Sequence, residues 1–358
     1  MIFDDVLTIK NGRNQKAVEN PKGKYPIYGS GGVIGYADDY ICAANTVVIG
    51  RKGSINNPIF VECPFWNVDT AFGLEAKTEV LIPKYLYYFC KHFNFEKLNK
   101  TVTIPSLTKS DLLRIEIDLP EISKQQSIVS QLSKIEDVIS LRQQELQKLD
   151  ELVKARFVEM FGDPQSNPFG YKKKAMRETC TVTTGNTPSR AFPEYYGDYI
   201  EWIKTDNIVS GILNPTTAAE YLSKKGLEVG RTVDTDSILM ACIAGSIASI
   251  GRICVTNRKV AFNQQINAIV PSQYDTLFLY VLLLISKEYL VKDINMALKG
   301  ILSKSKLEEK EFIVPPMEEQ LAFSTFVKQI DKSKAAVQEA LDKAQLLFDS
   351  LMQKYFSR

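Results

Sequence analysis

Residues 121–161 read EISKQQSIVSQLSKIEDVISLRQQELQKLDELVKARFVEMF. Apolar side chains recur in this stretch at Ile128, Leu132, Ile135, Ile139, Leu146, Leu149, Val153 and Met160. They stand alternately four and three residues apart, the seam of a helix paired with another helix, with Arg142 and Arg156 interrupting it. Between seam positions lie Lys134, Glu136, Asp137, Glu145, Lys148, Asp150, Glu151 and Lys154, so the other faces are expected to be solvated and nearly neutral. Neither Pro nor Gly breaks the run before Gly162 and Pro164, which supply a stop. At 1.5 Å per residue the helix spans about 60 Å. That is too long for an ordinary helix of a small domain, so it requires a partner.

The partner is in the same chain. Adding 195 to the numbering aligns Ile135 with Ile330, Leu146 with Leu341, Lys148 with Lys343, Leu152 with Leu347 and Phe161 with Phe356. Upstream, Leu107, Thr108, Lys109, Ser110 and Leu112 align with Leu302, Ser303, Lys304, Ser305 and Leu307, Pro120 with Pro315, and Gln125 with Gln320. The offset holds without a gap from Leu107 onward. The chain is therefore read as a tandem duplication of a globular piece followed by a long helix. The second helix offers Phe323, Val327, Ile330, Val337, Leu341, Phe348 and Leu351 to the pairing. The expected fold class is α+β: two similar mixed α/β domains, residues 1–120 and 162–315, and two long helices, residues 121–161 and 316–358, forming an antiparallel coiled coil with a pseudo-twofold repeat.

Bulk properties narrow the function classes. The 358 residues fit two globular domains, and a hydrophobic content of 45% supplies real cores. Cys42, Cys63, Cys90, Cys180, Cys242 and Cys254 are scattered without a Cys-x-x-Cys, and no secretory segment precedes Met1, which points to reduced thiols in the cytoplasm. Residues 277–285 are about half as long as a membrane span and read as a buried helix. Formal net charge is +2. A protein that wraps DNA unaided is usually more basic, so any nucleic-acid affinity would be shared with partner subunits.

Along the first half, residues 46–50 and 59–63 read as strands around the loop 51–58, and residues 83–92 as a short helix with Pro at its first turn. In the second half, residues 199–203 are strand-like, Gly245, Ser246 and Ile247 answer Gly53, Ser54 and Ile55, and Phe262 and Asn263 answer Trp66 and Asn67. Cores repeat while polar loops differ. A duplicated scaffold with changed loops presents two related surfaces, as a bipartite reader of an extended polymer requires; loop drift with no shared ligand is the plainer alternative.

Familiar catalytic arrangements are not assembled. His92, the single histidine, stands near a helix end and has no imidazole partner for a metal site or a triad. The glycine-rich residues 29–35 lead into another strand rather than a helix, so a dinucleotide site is not expected. No phosphate-binding Gly-x-x-x-x-Gly-Lys-Ser/Thr occurs. Asp69, Glu75 and Lys77 suggest a nuclease spacing, but the second half keeps no equivalent set.

The remaining signal is loops of amide, hydroxyl and cationic groups. Arg suits guanine and Asn or Gln suits adenine, whereas Lys, Ser and backbone amides more often locate phosphates. The first-half candidates are Arg51, Lys52, Ser54, Asn56 and Asn57, with Lys22, Lys24 and Ser30 as neighbours. Those of the second half are Thr187, Ser189, Arg190, Lys204, Ser246, Ser249 and Arg252, with Lys299 as a neighbour.

The constellation resembles the specificity (S) subunit of a type I restriction-modification enzyme. The resemblance covers essentially the whole chain. It is carried by residues 184–190 (TGNTPSR) with Tyr195, Tyr196 and Gly197, by the glycines of 29–35, by Gly245-Ser246-Ile247, by Pro120 before Gln125 and Pro315 before Gln320, and by residues 160–164 (MFGDP). It implies two target recognition domains, each reading half of a split, asymmetric double-stranded DNA target, with the helices as spacer. It further implies an adaptor without chemistry or cofactor of its own. Two modification subunits would carry S-adenosylmethionine and methylate adenine N6, and two restriction subunits would use ATP and Mg2+ for translocation and cleavage; no membrane is involved. One departure is that Arg13-Asn14-Gln15 stands where the second half has Asn186-Thr187-Pro188. A scaffold whose two domains bind protein rather than DNA is the competing account.

Overall fold

The computed structural model describes every residue except 100–103, 293, 295–299 and 358. The chain divides into two compact units: unit 1 is Met1–Gln143 with Glu339–Arg358, and unit 2 is Gln144–Gln338. Each unit therefore takes one half of each long helix, Ile122–Phe161 and Met317–Phe356.

Unit 1 is built on an antiparallel four-stranded sheet in the order Leu7–Asn11, Ala71–Ala76, Thr46–Gly50, Ile59–Val61. Leu7–Asn11 alternates buried and exposed positions, as an edge strand with one wet face should. Thr46–Gly50 is buried throughout, because its two faces are covered. The hairpin Tyr25–Gly29 and Gly32–Ala37 joins Trp66–Asn67 in a smaller sheet through a parallel pairing. Pro83–His92 carries Tyr85, Leu86, Tyr88 and Phe89 into the core beside Phe3, Val47, Ile49 and Phe72.

Unit 2 repeats the plan. Its four-stranded sheet runs Cys180–Thr184, Ile266–Pro271, Ile238–Ala241, Ile253–Val255, again all antiparallel. A second sheet centres on the parallel pair Ile200–Ile203 and Val260–Phe262. Thr276–Ile285, almost wholly apolar, is a buried helix whose first amides are capped by Asp275. No helix among the described residues is long and apolar enough to cross a membrane.

The repeat extends to single side chains. Gln125 is buried, accepts from Ile82 N at 2.9 Å, and donates to Val80 O and Pro120 O at 2.9 Å. Gln320 does the same with Asp275 N at 2.9 Å and Pro315 O at 2.8 Å. Each glutamine satisfies backbone groups that would otherwise be buried without partners, and so bolts its long helix to the domain before it. Thr108 and Ser303 likewise cap equivalent short helices.

The long helices pack along their seams within each unit. In unit 1, Ile128 and Leu132 share a core with Phe348 and Met352, and Tyr355 Oη donates to Gln131 at 2.9 Å. In unit 2, Phe157 and Phe161 contact the Phe323 ring at 5.4 and 5.7 Å, and Lys334 pairs with Asp150 at 2.8 Å. Partner numbers fall on one helix as they rise on the other, so the pair is an antiparallel coiled coil. Ile128, Leu132, Phe323, Val327, Val337 and Phe348 are buried, and Ile135, Ile139, Leu146, Leu149, Val153, Ile330, Leu341 and Leu351 are half-buried. The seam described from sequence passes over Phe157, which is fully buried and continues it four residues after Val153. The aligned pair Leu152 and Leu347 faces outward. The first helix stops where Gly162 turns left-handed with φ +72° and its N–H bonds Val158 O at 2.9 Å; a side chain there would strike Pro168.

Candidate nucleic-acid interface

Each unit has a glycine turn of the same kind after its edge strand; residues 187–190 follow it directly in unit 2, while in unit 1 the Arg51 loop adjoins it, Arg51 N bonding Thr70 O at 2.8 Å and Gly12 N bonding Ala71 O at 3.3 Å. Gly12 follows the edge strand of unit 1, and a Cβ on it would lie 1.7 Å from Val68 O; at Gly185 of unit 2 the same atom would lie 2.2 Å from Asn263 O. Only glycine allows so close a backbone approach. The next carbonyl is then held by an indole: Trp66 Nε1 donates to Arg13 O at 3.0 Å, and Trp202 Nε1 donates to Asn186 O at 3.3 Å. Trp66 lies on the second strand of its parallel pair, opposite Ile27, whereas Trp202 lies on the first strand of its pair, opposite Ala261. The two domains thus make one contact from opposite strands. This equates Arg13 with Asn186, although their side chains differ.

In unit 1, Arg51, Lys52, Ser54, Asn56 and Asn57 are exposed on one loop. The Arg51 guanidinium stands 5.7 Å over the Phe72 ring, and Leu107 N bonds Arg51 O at 2.9 Å. Ser30 reaches this loop, since a Cβ on Gly50 would lie 3.0 Å from its side chain. Lys22 and Lys24 do not: the strand Tyr25–Gly29 separates them from Ser30 by roughly 20 Å of extended chain. Asn56 uses its amide within the fold, donating to Asn94 Oδ1 at 3.1 Å and accepting from Phe95 N at 2.7 Å. Of the glycines of 29–35, Gly29 and Gly32 pair to close the hairpin turn through Ser30 and Gly31, and Gly35 lies in the second strand opposite Ile27.

In unit 2 the candidates draw together. Arg190 Nη2 bonds Glu220 Oε2 at 2.5 Å, Lys204 bonds the other Glu220 oxygen, and Arg190 lies 4.3 Å over Tyr196 and 5.7 Å over Trp202. The Lys204 ammonium, and then Arg190, holds the Glu220 carboxyl below the usual range; Glu220 in turn raises Arg190. Arg252 Nη2 donates to Thr205 O at 3.0 Å and its Nε to Ser249 O at 3.3 Å, tying this cluster to the loop of Ser246, whose hydroxyl is 3.0 Å from that of Ser249. Thr187 bonds Gln264, and Ser189 Oγ accepts from Ala191 N at 3.3 Å. Lys299 lies outside the described residues.

Among the described residues, the other groups singled out from the sequence lie apart from one another. Glu75 pairs with Lys10 at 3.5 Å and accepts from Ala43 N, while Lys77 donates to Asp4 O and Asp5 O, so Asp69, Glu75 and Lys77 form no cluster. His92 Nε2 is 2.9 Å from Ser357 Oγ at the end of its helix. Burial pushes the Cys42 and Cys242 thiols up to about 12, far from a reactive thiolate.

A family model described as the type I restriction modification DNA specificity domain matches residues 3–151 and 168–345. The chain belongs to that family. DNA-target recognition is the general role of such specificity subunits. The HindI specificity subunit of Haemophilus influenzae is 30% identical over 122 residues, covering 32% of this chain and 24% of that protein. The MjaIX specificity subunit of Methanocaldococcus jannaschii is 22% identical over 333 residues, covering 86% and 74%. The matched stretch is thus about a quarter of the first relative's length and three quarters of the second's. A crystallised S subunit from M. genitalium superposes with a TM-score of 0.66 at 16% identity, covering 100% of this chain and 96% of that one. A chain from a type I R-M structure concerned with complex assembly and conformational transition gives 0.57 at 17% identity, covering 99% and 96%. These likenesses show the fold.

For a specificity subunit, the residues that sequence reasoning missed matter as much as those it named. Glu220 carries no motif, and it reaches Arg190 and Lys204 because Tyr221–Leu222 pairs with Ile200–Ile203. Arg231 bonds Thr184 O and its N–H bonds Asn186 Oδ1 at 2.8 Å, bracing the glycine turn. Lys287 donates to Ala248 O at 2.7 Å, and burial followed by Arg252 pulls its ammonium down. The identity of the two tryptophans as the chain's entire complement was the signal available for Trp66 and Trp202.

Proposed function

We propose that this chain is the sequence-reading subunit of a type I restriction-modification complex, recognising a bipartite, asymmetric double-stranded DNA target. Unit 1 and unit 2 each read one half-site, and the helix pair sets the unread spacing. The observation that carries the reading is the duplicated glycine turn with its indole-held carbonyl, beside which the two units carry different polar loops. Repeated scaffolding beneath differing exposed loops is what two different base sequences demand.

On this reading the chain works in the cytoplasm and does no chemistry itself. Two modification subunits supply S-adenosylmethionine and methylate adenine N6, and two restriction subunits supply ATP- and Mg2+-dependent translocation and cleavage. The specificity subunit places the adenine to be flipped. Leu141, Leu152, Leu346 and Leu347, exposed on the long helices, suit contact with helices of the modification subunits.

The test is methylation-site mapping after coexpression with the modification subunits, compared with the same cells lacking this chain. A two-part motif that appears only with the chain supports the reading. Complex formation without any sequence-selective methylation would instead identify a protein-binding scaffold.

A further inference from the structure

Resting on the DNA-reading role above, we propose that Arg190 reads a guanine in the half-site taken by unit 2, and that Glu220 is the positioning residue that presents it. Arg190 is held without being buried: its side chain is 60% exposed. One edge meets Glu220 Oε2 at 2.5 Å, and its plane lies over Tyr196 at 4.3 Å. Tyr196 Oη closes the carrying loop onto Pro188 O at 2.6 Å. Glu220 is itself fixed, by Lys204 on its second oxygen and by the bond from Trp202 N to its carbonyl at 3.0 Å. Among the described residues no other group takes the remaining guanidinium N–H donors.

A long flexible side chain that must choose among bases needs its direction set beforehand while its donors stay free. A carboxylate at one edge and an aromatic face beneath do this, leaving a planar fork for guanine O6 and N7. Stability is a small competing reason for the arrangement. Exposed ion pairs contribute little, so two cations converging on one half-exposed glutamate beside an indole add little to folding. Unit 1 solves its half differently, with Arg51 over Phe72, so the two half-sites are expected to differ.

The experiment uses the full chain coexpressed with its modification subunits and reads methylated motifs for wild type, Arg190→Ala, Arg190→Lys, Glu220→Gln, Glu220→Asp and the double Arg190→Ala/Glu220→Gln variant. The expected result is loss of discrimination at one G·C position of one half-site, about tenfold or more, in Arg190→Lys and Glu220→Gln alike. The double variant should be no worse than Arg190→Ala, and Glu220→Asp should retain more discrimination than Glu220→Gln. An unchanged motif in Arg190→Ala, or weakening spread evenly over both half-sites, overturns the proposal. If wild type yields a defined motif and these variants fail the test, the DNA-reading role stands and only this assignment falls. If wild type directs methylation to no defined sequence, both fall.

Discussion

Trp66 and Trp202 show how much a single side chain can be asked to do. Each anchors the carbonyl that follows its unit's glycine turn, and each is the only tryptophan of its unit. Trp66→Phe and Trp202→Phe should each cost about 1 kcal/mol of stability for the lost hydrogen bond and loosen base choice in one half-site only. Each single variant also leaves one indole, so a DNA-induced change in selectively excited tryptophan fluorescence of this chain would report on one unit at a time; a response from the wrong half-site would contradict the assignment. Glu201 provides a second test at this scale. Burial alone would raise its carboxyl, but Arg258 and the Ala218 amide outweigh it and the net shift is downward. A depressed folded-state value stabilises the protein above the ordinary glutamate range and is lost as pH falls through that lower value. The Tm gap between wild type and Glu201→Gln should therefore be widest near neutrality and shrink below about pH 4; a constant gap would mean the carboxylate's charge is not involved.

Among the elements, the long helices separate what periodicity can tell from what it cannot. The seam residues are all buried or half-buried, as the four-and-three spacing requires. Phe157 escaped that pattern because the four-and-three spacing puts Arg156, not Phe157, at the seam position between Val153 and Met160, yet the Phe157 ring lies between Phe161, Phe278 and Phe323. Phe157→Ala should cost about 3–5 kcal/mol, read as a fall in the thermal or denaturant midpoint. The helices also carry the proposed spacing function. Removing one heptad from each, in register, should change the preferred distance between half-sites in the mapped motif, or abolish assembly; an assembled variant with the original spacing would remove the ruler from the mechanism.

For the whole molecule, the repeat predicts modular reading. Each unit has its own four-stranded sheet in the same strand order, its own core and its own glutamine bolt. Exchanging residues 165–315 for those of another specificity subunit should therefore change one half of the methylated motif and leave the other intact. A change in both halves would show that recognition is not divided between the units.

By themselves, the residues of 121–161, the 195-residue offset and the aligned Gln125 and Gln320 determined the duplicated architecture and the paired helices. Helical period and repeat register are properties of order along the chain, and order is what a sequence records. The loops carrying Arg51 and Arg190 were visible for the same reason, as polar runs after strands. Which of those residues act together was decided only in three dimensions. Lys22 and Lys24 fall away from Ser30 across an extended strand, while Glu220 comes to Arg190, thirty residues away in the chain. Strand pairing brings distant positions into contact, and the partner and register of a strand depend on packing throughout the domain rather than on its own few residues.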